Sequence, residues 1–237
     1  MQCVILAGGL ATRMRPLTDA IPKALIPAEG KPFVDYQLGW LAAHGVTDVV
    51  LSIGYRGDLL RDHVGDGGRF GVRVRYVDEG TELRGTAGAL RLAFAEGVLE
   101  ESFLVTYGDS FLPVDFAAVY AAFVAAAKPA LMTVYRNGGR FDASNVIFED
   151  GAIVLYDKHH RVRPAADFPF IDYGLMAFAR RTVADEIPAA GKADLADLLH
   201  ALSRRGDLAG MEMSDRFYEI GSPAGLEDLA QWLRARR

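Results

Sequence analysis

The chain has 237 residues, 51% hydrophobic and 24% charged, enough apolar material for one large domain or one domain with a modest insertion. A formal net charge of −5 argues against a general nucleic-acid binder, which needs a basic surface to displace counterions. The single cysteine, Cys3, excludes an intrachain disulfide framework and fits a reducing cytoplasm.

Met1 runs straight into Val4-Ile5-Leu6 with no basic region or cleavable apolar run, so no secretory leader is expected. The longest apolar runs are too short to span a bilayer. Cys3 to Ala7 predicts a buried strand, with a long loop over residues 8–31. Pro32 opens a helix to about His44, capped by Gly45. Strands expected at Asp48 to Ile53, Val72 to Val77 and Ser102 to Thr106 alternate with helices at Asp58 to Val64 and Thr86 to Gly97. Asp115 caps a helix to about Ala127, and Ala130 to Tyr135 is again a strand. Alternation of this kind implies strands joined by crossover helices that cover both sheet faces.

The second half changes character. Asn145 to Phe148 and Ala152 to Tyr156 flank Glu149-Asp150-Gly151, a hairpin signal. Ile171 to Phe178 predicts a strand, Asp194 to Arg205 a helix ending at Gly206, and Pro223 the start of a terminal helix. The expected fold class is α/β, a three-layer α/β/α domain with a mixed, mostly parallel central sheet.

The most informative segment is Leu6-Ala7-Gly8-Gly9-Leu10-Ala11-Thr12-Arg13. A buried strand delivers two glycines to the carboxyl edge of the sheet, where α/β folds bind ligands. Glycines there let backbone N–H groups approach phosphate oxygens. Arg13 and Lys23 follow as fixed positive charges without an acidic neighbour in sequence, which favours a phosphate site over a tight turn with two solvated cations. Neither G-x-x-x-x-G-K-[ST] nor G-x-G-x-x-G fits, which disfavours a P-loop ATPase or a dinucleotide dehydrogenase.

The segment resembles the signature of the sugar-1-phosphate nucleotidylyltransferases, roughly L-A-G-G-x-G-T-R-x-x-P-L-T, then P-K, then G-K-P. Leu6 to Thr18, Pro22-Lys23 and Gly30-Lys31-Pro32 match it in order and spacing, with Ala11 where the family usually has glycine. The resemblance implies catalytic roles for Arg13 and Lys23, and nucleotide contacts at Leu6, Ala7, Gly8 and Gly9. A G-T-A-G-like element in the family contacts the nucleobase, which assigns Gly85, Thr86 and Gly88 to that task. Glu79 or Glu82 could accept from the base; the residues do not choose between them, and Glu82 is carried as the candidate.

Asp109 ends the apolar strand as Val105-Thr106-Tyr107-Gly108-Asp109, and a carboxylate there suits an oxygen ligand for Mg²⁺. The family places its metal aspartate at this position and a second in a D-x-G-[ST] element; here Glu219-Ile220-Gly221-Ser222 puts a glutamate in that place. Tyr156-Asp157-Lys158 resembles the family's E-K element, whose lysine holds the sugar phosphate. That makes Lys158 the candidate for the acceptor phosphate and Asp157 for a sugar hydroxyl. Asn145, Asp172 and Gly174 fall on positions matching the sugar pocket. The adjacent His159 and His160 are read as solvated loop residues.

The resemblance implies a single nucleotidyltransferase domain over residues 1–237, its nucleotide part near 1–110 and its sugar-phosphate part near 111–237. The implied enzyme uses Mg²⁺, an NTP and a sugar 1-phosphate, works in the cytoplasm, and needs neither nucleic acid nor a membrane; a homo-oligomer is compatible. Length and spacing best resemble the heptose- and mannose-1-phosphate guanylyltransferases and the muramate-type uridylyltransferases. Two rivals are a cytidylyltransferase acting on a non-sugar phosphate such as phosphocholine, and a silent regulatory paralogue that binds sugar nucleotides. The second usually loses the arginine, lysine or metal carboxylate, and all those residue types are kept here.

Overall fold

The computed structural model describes residues 1–9 and 12–236, except for the side chain of Arg13. The chain begins with β1 (Gln2–Leu6), β2 (Pro27–Ala28), β3 (Lys31–Pro32), α1 (Phe33–Ala43), β4 (Asp48–Ile53), α2 (Gly57–Val64) and β5 (Arg73–Asp78). It continues through α3 (Gly85–Ala95), β6 (Ser102–Tyr107), β7 (Ser110–Phe111), α4 (Phe116–Ala126), β8 (Ala130–Arg136), β9 (Val146–Glu149) and β10 (Ala152–Tyr156). Then come β11 (Phe170–Ala179), α5 (Arg180–Glu186), α6 (Leu195–Arg205), β12 (Leu208–Met213), β13 (Tyr218–Glu219) and α7 (Pro223–Arg234).

Two compact units interleave along the chain. The first comprises Met1–Leu83, Thr106–Phe116 and Phe217–Arg237; the second comprises Arg84–Val105 and Ala117–Arg216. In the first unit β1, β4 and β5 form a parallel ladder, from Gln2↔Asp48 to Leu6↔Ser52 and from Asp48↔Arg73 to Ile53↔Asp78. Parallel strands covered on both faces read as unbroken apolar runs, and Cys3, Val4 and Ile5 are fully buried. Burial pushes the Cys3 thiol well above its ordinary range, so it is a small core residue. A second cluster gathers Met14, Ile26, Phe33, Phe111, Tyr218 and Leu229, with Trp40 and Trp232 packed against it. The Trp40 and Trp232 rings meet nearly edge-on, their centroids 5.6 Å apart. This cluster draws β7, β13 and α7 onto the loop that follows β1.

In the second unit β8 pairs antiparallel with β11 and parallel with β12. The β9–β10 hairpin turns through Asp150 (φ 47°) and Gly151 (φ 79°), both left-handed as a two-residue type I′ turn requires. The sheet is mixed, as expected, but its parallel character is concentrated in the first unit. The second unit is largely antiparallel because a hairpin and the long strand β11 supply most of its pairings.

Besides the two-residue strands β2, β3, β7 and β13, the first two of which fall at the end of the expected long loop, two elements escaped the sequence reading. Strand β12 reads Leu-Ala-Gly-Met-Glu-Met, poor in β-branched residues. It forms because β8 on one side supplies a six-residue register, while its Gly210 lies against the hairpin. A Cβ on Gly210 would lie 2.6 Å from Ile153 and Phe148. Helix α5 is only seven residues long, too short to declare a helical period.

Candidate active site

The carboxyl end of β1 is where the first unit concentrates its polar machinery. Ala7 donates its N–H to Ser52 at 2.8 Å, and Gly108 donates to Leu6 at 2.9 Å. Gly8 sits so close to Glu79 that a Cβ would lie 2.4 Å from Oε1, and a Cβ on Gly54 would lie 2.8 Å from the Gly8 carbonyl. Only residues without a side chain allow these segments to converge. Glu79 is 9% exposed and accepts a hydrogen bond from Ser52 Oγ at 3.2 Å, whereas Glu82 is exposed on the following turn.

Lys23 opens a short 3₁₀ turn after Pro22 and is held by the burial of Ala24 and Ile26 behind it. Its Nζ lies 2.5 Å from Asp109 Oδ2, with both side chains largely shielded, at 14% and 27% exposure. The charge that has no acidic neighbour in sequence thus acquires one from 86 residues away. Asp109 occupies the turn between β6 and β7. There β13 runs antiparallel to β7 with Glu219 opposite Ser110, and Ile220 donates its N–H to the Asp109 carbonyl at 3.0 Å. The turn carrying Asp109 and the strand carrying the exposed Glu219 are therefore neighbours.

Magnesium fits these donors. It usually takes one or two protein carboxylates and completes its shell with phosphate oxygens and water. Asp109, in the turn just before β7, and Glu219, on the adjacent strand β13, are hard oxygen donors. Among the described residues no group of three or more His, Cys, Asp or Glu side chains is placed to cage an ion by itself. Arg13 cannot be placed, because its side chain lies outside the described residues. Gln37, on α1, was not singled out from sequence, yet its amide donates to the carbonyls of Tyr107 and Ser110, on both sides of the Asp109 turn.

The second unit holds the acceptor-side candidates. Asn145 is nearly buried; its Oδ1 accepts the Asp172 N–H at 2.9 Å, and its carbonyl accepts the Asp157 N–H at 2.9 Å. The Asp172 carboxylate accepts from Gly174 N–H at 2.9 Å and from the Tyr156 hydroxyl at 3.4 Å. Burial raises the Asp172 pKa, and those hydrogen bonds together with the Lys158 charge only partly oppose the rise. Asp194, the N-cap of α6, shifts the other way: burial works to raise it, but the Ala196 N–H, the Lys158 charge and the Thr86 hydroxyl hold it below the usual range. Lys158 itself is exposed and acts on both carboxylates.

Two of the expected contacts have local structural work. Asp157 is fully buried, and its Oδ2 accepts from Val162 N–H at 2.7 Å, closing its own loop. Burial works to raise its pKa, but the Val162 and Arg161 amides hold it low. The Gly85-Thr86-Ala87-Gly88 element grips residues 191–195. Ala87 and Gly88 donate to the Ala193 carbonyl, and a Cβ on Gly85 would lie 2.4 Å from that oxygen. The Thr86 hydroxyl donates to Asp194 at 3.1 Å and accepts from Leu195 N–H at 2.8 Å. Asp194 was missed because, in sequence, an aspartate before a helix signals only a cap.

Known proteins resemble this chain in sequence and in fold. The chain is 29% identical over 232 residues to the N-acetylmuramate alpha-1-phosphate uridylyltransferase of Neisseria meningitidis, covering 96% of both chains. It is 33% identical over 121 residues to the D-glycero-alpha-D-manno-heptose 1-phosphate guanylyltransferase of Aneurinibacillus thermoaerophilus, covering 51% of each chain. The structure of HddC from Yersinia pseudotuberculosis superposes with a TM-score of 0.79 at 22% identity, covering 98% of this chain and 99% of that one. The inositol-1-phosphate CTP transferase of T. maritima superposes with a TM-score of 0.78 at 21% identity, covering 98% and 94%. At such identities the superpositions establish the α/β fold. The family model described as nucleotidyl transferase matches residues 2–140, more than half of the sequence and including the Gly8-Gly9 turn, Lys23 and Asp109, and the chain belongs to that family.

Proposed function

We propose that this chain is a sugar-1-phosphate nucleotidylyltransferase, which transfers a nucleoside monophosphate from an NTP to a sugar 1-phosphate and releases pyrophosphate. The observation that carries this reading is the Lys23–Asp109 pair beside the Gly8-Gly9 turn, at the carboxyl edge of a parallel ladder. Family membership and the uridylyltransferase relative that matches over 96% of both chains support it. We read residues 1–237 as one nucleotidyltransferase domain with a three-layer α/β/α architecture, its nucleotide part near residues 1–110 and its sugar-phosphate part near 111–237.

In the reaction, an oxygen of the sugar phosphate attacks the α-phosphorus of the NTP in line. A new P–O bond forms as the bond from the α-phosphorus to the bridging oxygen breaks, and that electron pair leaves with pyrophosphate. The attacking oxygen is already anionic at neutral pH, so no general base is required. Catalysis is then mainly positioning and charge stabilisation. Asp109 and Glu219 would hold Mg²⁺, which when bound neutralises charge on the phosphates. Lys23 holds Asp109 in orientation and adds positive charge beside the phosphate turn, and Arg13 contributes a second cation. Leu6, Ala7, Gly8 and Gly9 line the phosphate path, and Glu79, backed by Ser52, supports the turn from behind. Lys158 takes the acceptor phosphate, with Asn145, Asp172 and Gly174 reading sugar hydroxyls. The NTP requirement places the work in the cytoplasm.

Pyrophosphate release measured with each NTP against a panel of sugar 1-phosphates, phosphocholine and inositol 1-phosphate tests this. One NTP paired with a sugar 1-phosphate should dominate. Turnover only with a non-sugar phosphate would replace the reading with the cytidylyltransferase possibility, and binding without turnover by any pair would favour the silent paralogue.

A further inference from the structure

We propose that Gln37 is the positioning residue for the metal carboxylate Asp109, a role that rests on the reading of Asp109 as a magnesium ligand. Gln37 lies in the middle of α1, a helix whose other buried residues, Phe33, Val34, Leu38 and Leu41, are all apolar. Its side chain is 4% exposed, so an unneeded amide there would be expensive to bury. The amide is not idle. Its Nε2 donates to the Tyr107 carbonyl at 2.9 Å and to the Ser110 carbonyl at 2.8 Å.

A glutamine amide has two N–H donors, and both are spent here on backbone oxygens that flank Gly108-Asp109. One rigid group thereby pins both feet of the turn that presents the carboxylate. From the far side the same turn is held by Gly108 N–H to Leu6 and by Ile220 N–H to Asp109. The Gln37 clamp is the side-chain component of that frame.

The remaining groups fit one water. Gln37 Oε1, Ser110 Oγ and Trp40 Nε1 are buried and find no partner among the described residues. Gln37, Trp40 and Ser110 border a cavity of about 10 Å³, with Thr106 and Phe111 among its other walls, at the lower limit for one water molecule. A water there would supply Gln37 Oε1 with a donor and link the clamp to Ser110.

A purely structural glutamine and a positioning glutamine differ in what their loss does to the metal. Gln37→Met keeps the volume and removes both donors; Gln37→Glu keeps the shape and faces the two carbonyls with a carboxylate. Each should weaken Mn²⁺ binding, titrated by water-proton relaxation on the full chain without nucleotide, by about tenfold or more, as loss of a supporting contact behind a ligand usually does. Each should also raise the Mg²⁺ concentration for half-maximal rate while changing KM for the sugar 1-phosphate little. Leu38→Val, one position along and fully buried, is the control for lost stability and should leave Mn²⁺ affinity unchanged.

Wild-type affinity in both Gln37 variants, or a loss no greater than in Leu38→Val, overturns the proposal. Asp109→Asn in the same titration separates the two layers: if it leaves Mn²⁺ binding intact, the metal reading itself fails. If the Gln37 variants do not fold, the wild-type chain decides. Both Gln37 side-chain amide protons should exchange with solvent far more slowly than those of Gln231, which lies on an exposed face of α7. Equally fast exchange would mean the clamp does not exist.

Discussion

The candidate phosphate site in the first unit and the candidate acceptor site in the second are built on opposite plans. Lys23 and Asp109 are bonded directly and shielded, and the turn carrying Asp109 is tied to β1, α1 and β13. Lys158 is exposed and influences Asp172 and Asp194 through its charge, while those carboxylates are occupied by backbone amides and by Tyr156 and Thr86. The difference follows the chemistry. Charge developing at phosphorus is stabilised best by groups already fixed in a shielded place. An acceptor pocket needs one cation for the common phosphate and exchangeable polar groups around it, so a looser arrangement suffices there.

The sharpest way to break this contrast is at Asp109. Asp109→Asn should lower kcat/KM by about 10²–10³, the scale for losing one preorganised electrostatic group. Lys23→Ala should approach that loss, because it also leaves Asp109 without its partner. Asp109→Asn combined with Glu219→Gln should fall short of the sum of the single losses if both carboxylates serve one ion, as proposed. Additive losses in steady-state kinetics would mean that the two carboxylates work independently.

A smaller effect is expected at the acceptor end. Lys158→Ala removes a charged hydrogen bond worth about 1.5–3 kcal/mol, which should raise KM for the sugar 1-phosphate by roughly one to two orders of magnitude. NTP titrations should be nearly unchanged. Equal weakening of both substrates would dissolve the division between the two ends.

Thr86→Val comes next. It leaves Leu195 N–H without its acceptor and frees Asp194, which should destabilise the protein by about 1–3 kcal/mol in denaturant unfolding. If Thr86 only braces the start of α6, KM for the NTP should hold. A selective rise in that KM would support the contact of the G-T-A-G element with the nucleobase.

The smallest effect is electrostatic. The folded-state pKa of Asp172 is raised, so its contribution to stability is full below the ordinary carboxylate range and is lost as pH rises through its raised value. Asp172→Asn, neutral throughout, should therefore gain Tm relative to wild type as the pH is raised from about 4 to 7. It should also shift the sugar preference in the substrate panel. A Tm difference that does not vary with pH would mean that Asp172 is not held in a raised state.

Sequence alone determined whatever is local. The parallel strands announced themselves as apolar runs, the hairpin by Asp150-Gly151, and α6 by Asp194 and Gly206 at its ends, because burial, turn geometry and capping act over a few residues. Only the tertiary structure decided which distant groups meet. Lys23 finds Asp109 across 86 positions, Glu219 reaches the same edge through a two-residue strand too short to carry a period, and Gln37 hides as one polar letter in an apolar helix. β12 likewise exists because β8 offers it a register, against its own weak propensity. The interleaving of the two units belongs with these: the segment Phe217–Arg237 joins the first unit because Tyr218, Ile220 and Leu229 bury against Phe33 and Phe111. Such contacts depend on complementary surfaces assembled from separate parts of the chain, and no window of neighbouring residues contains them.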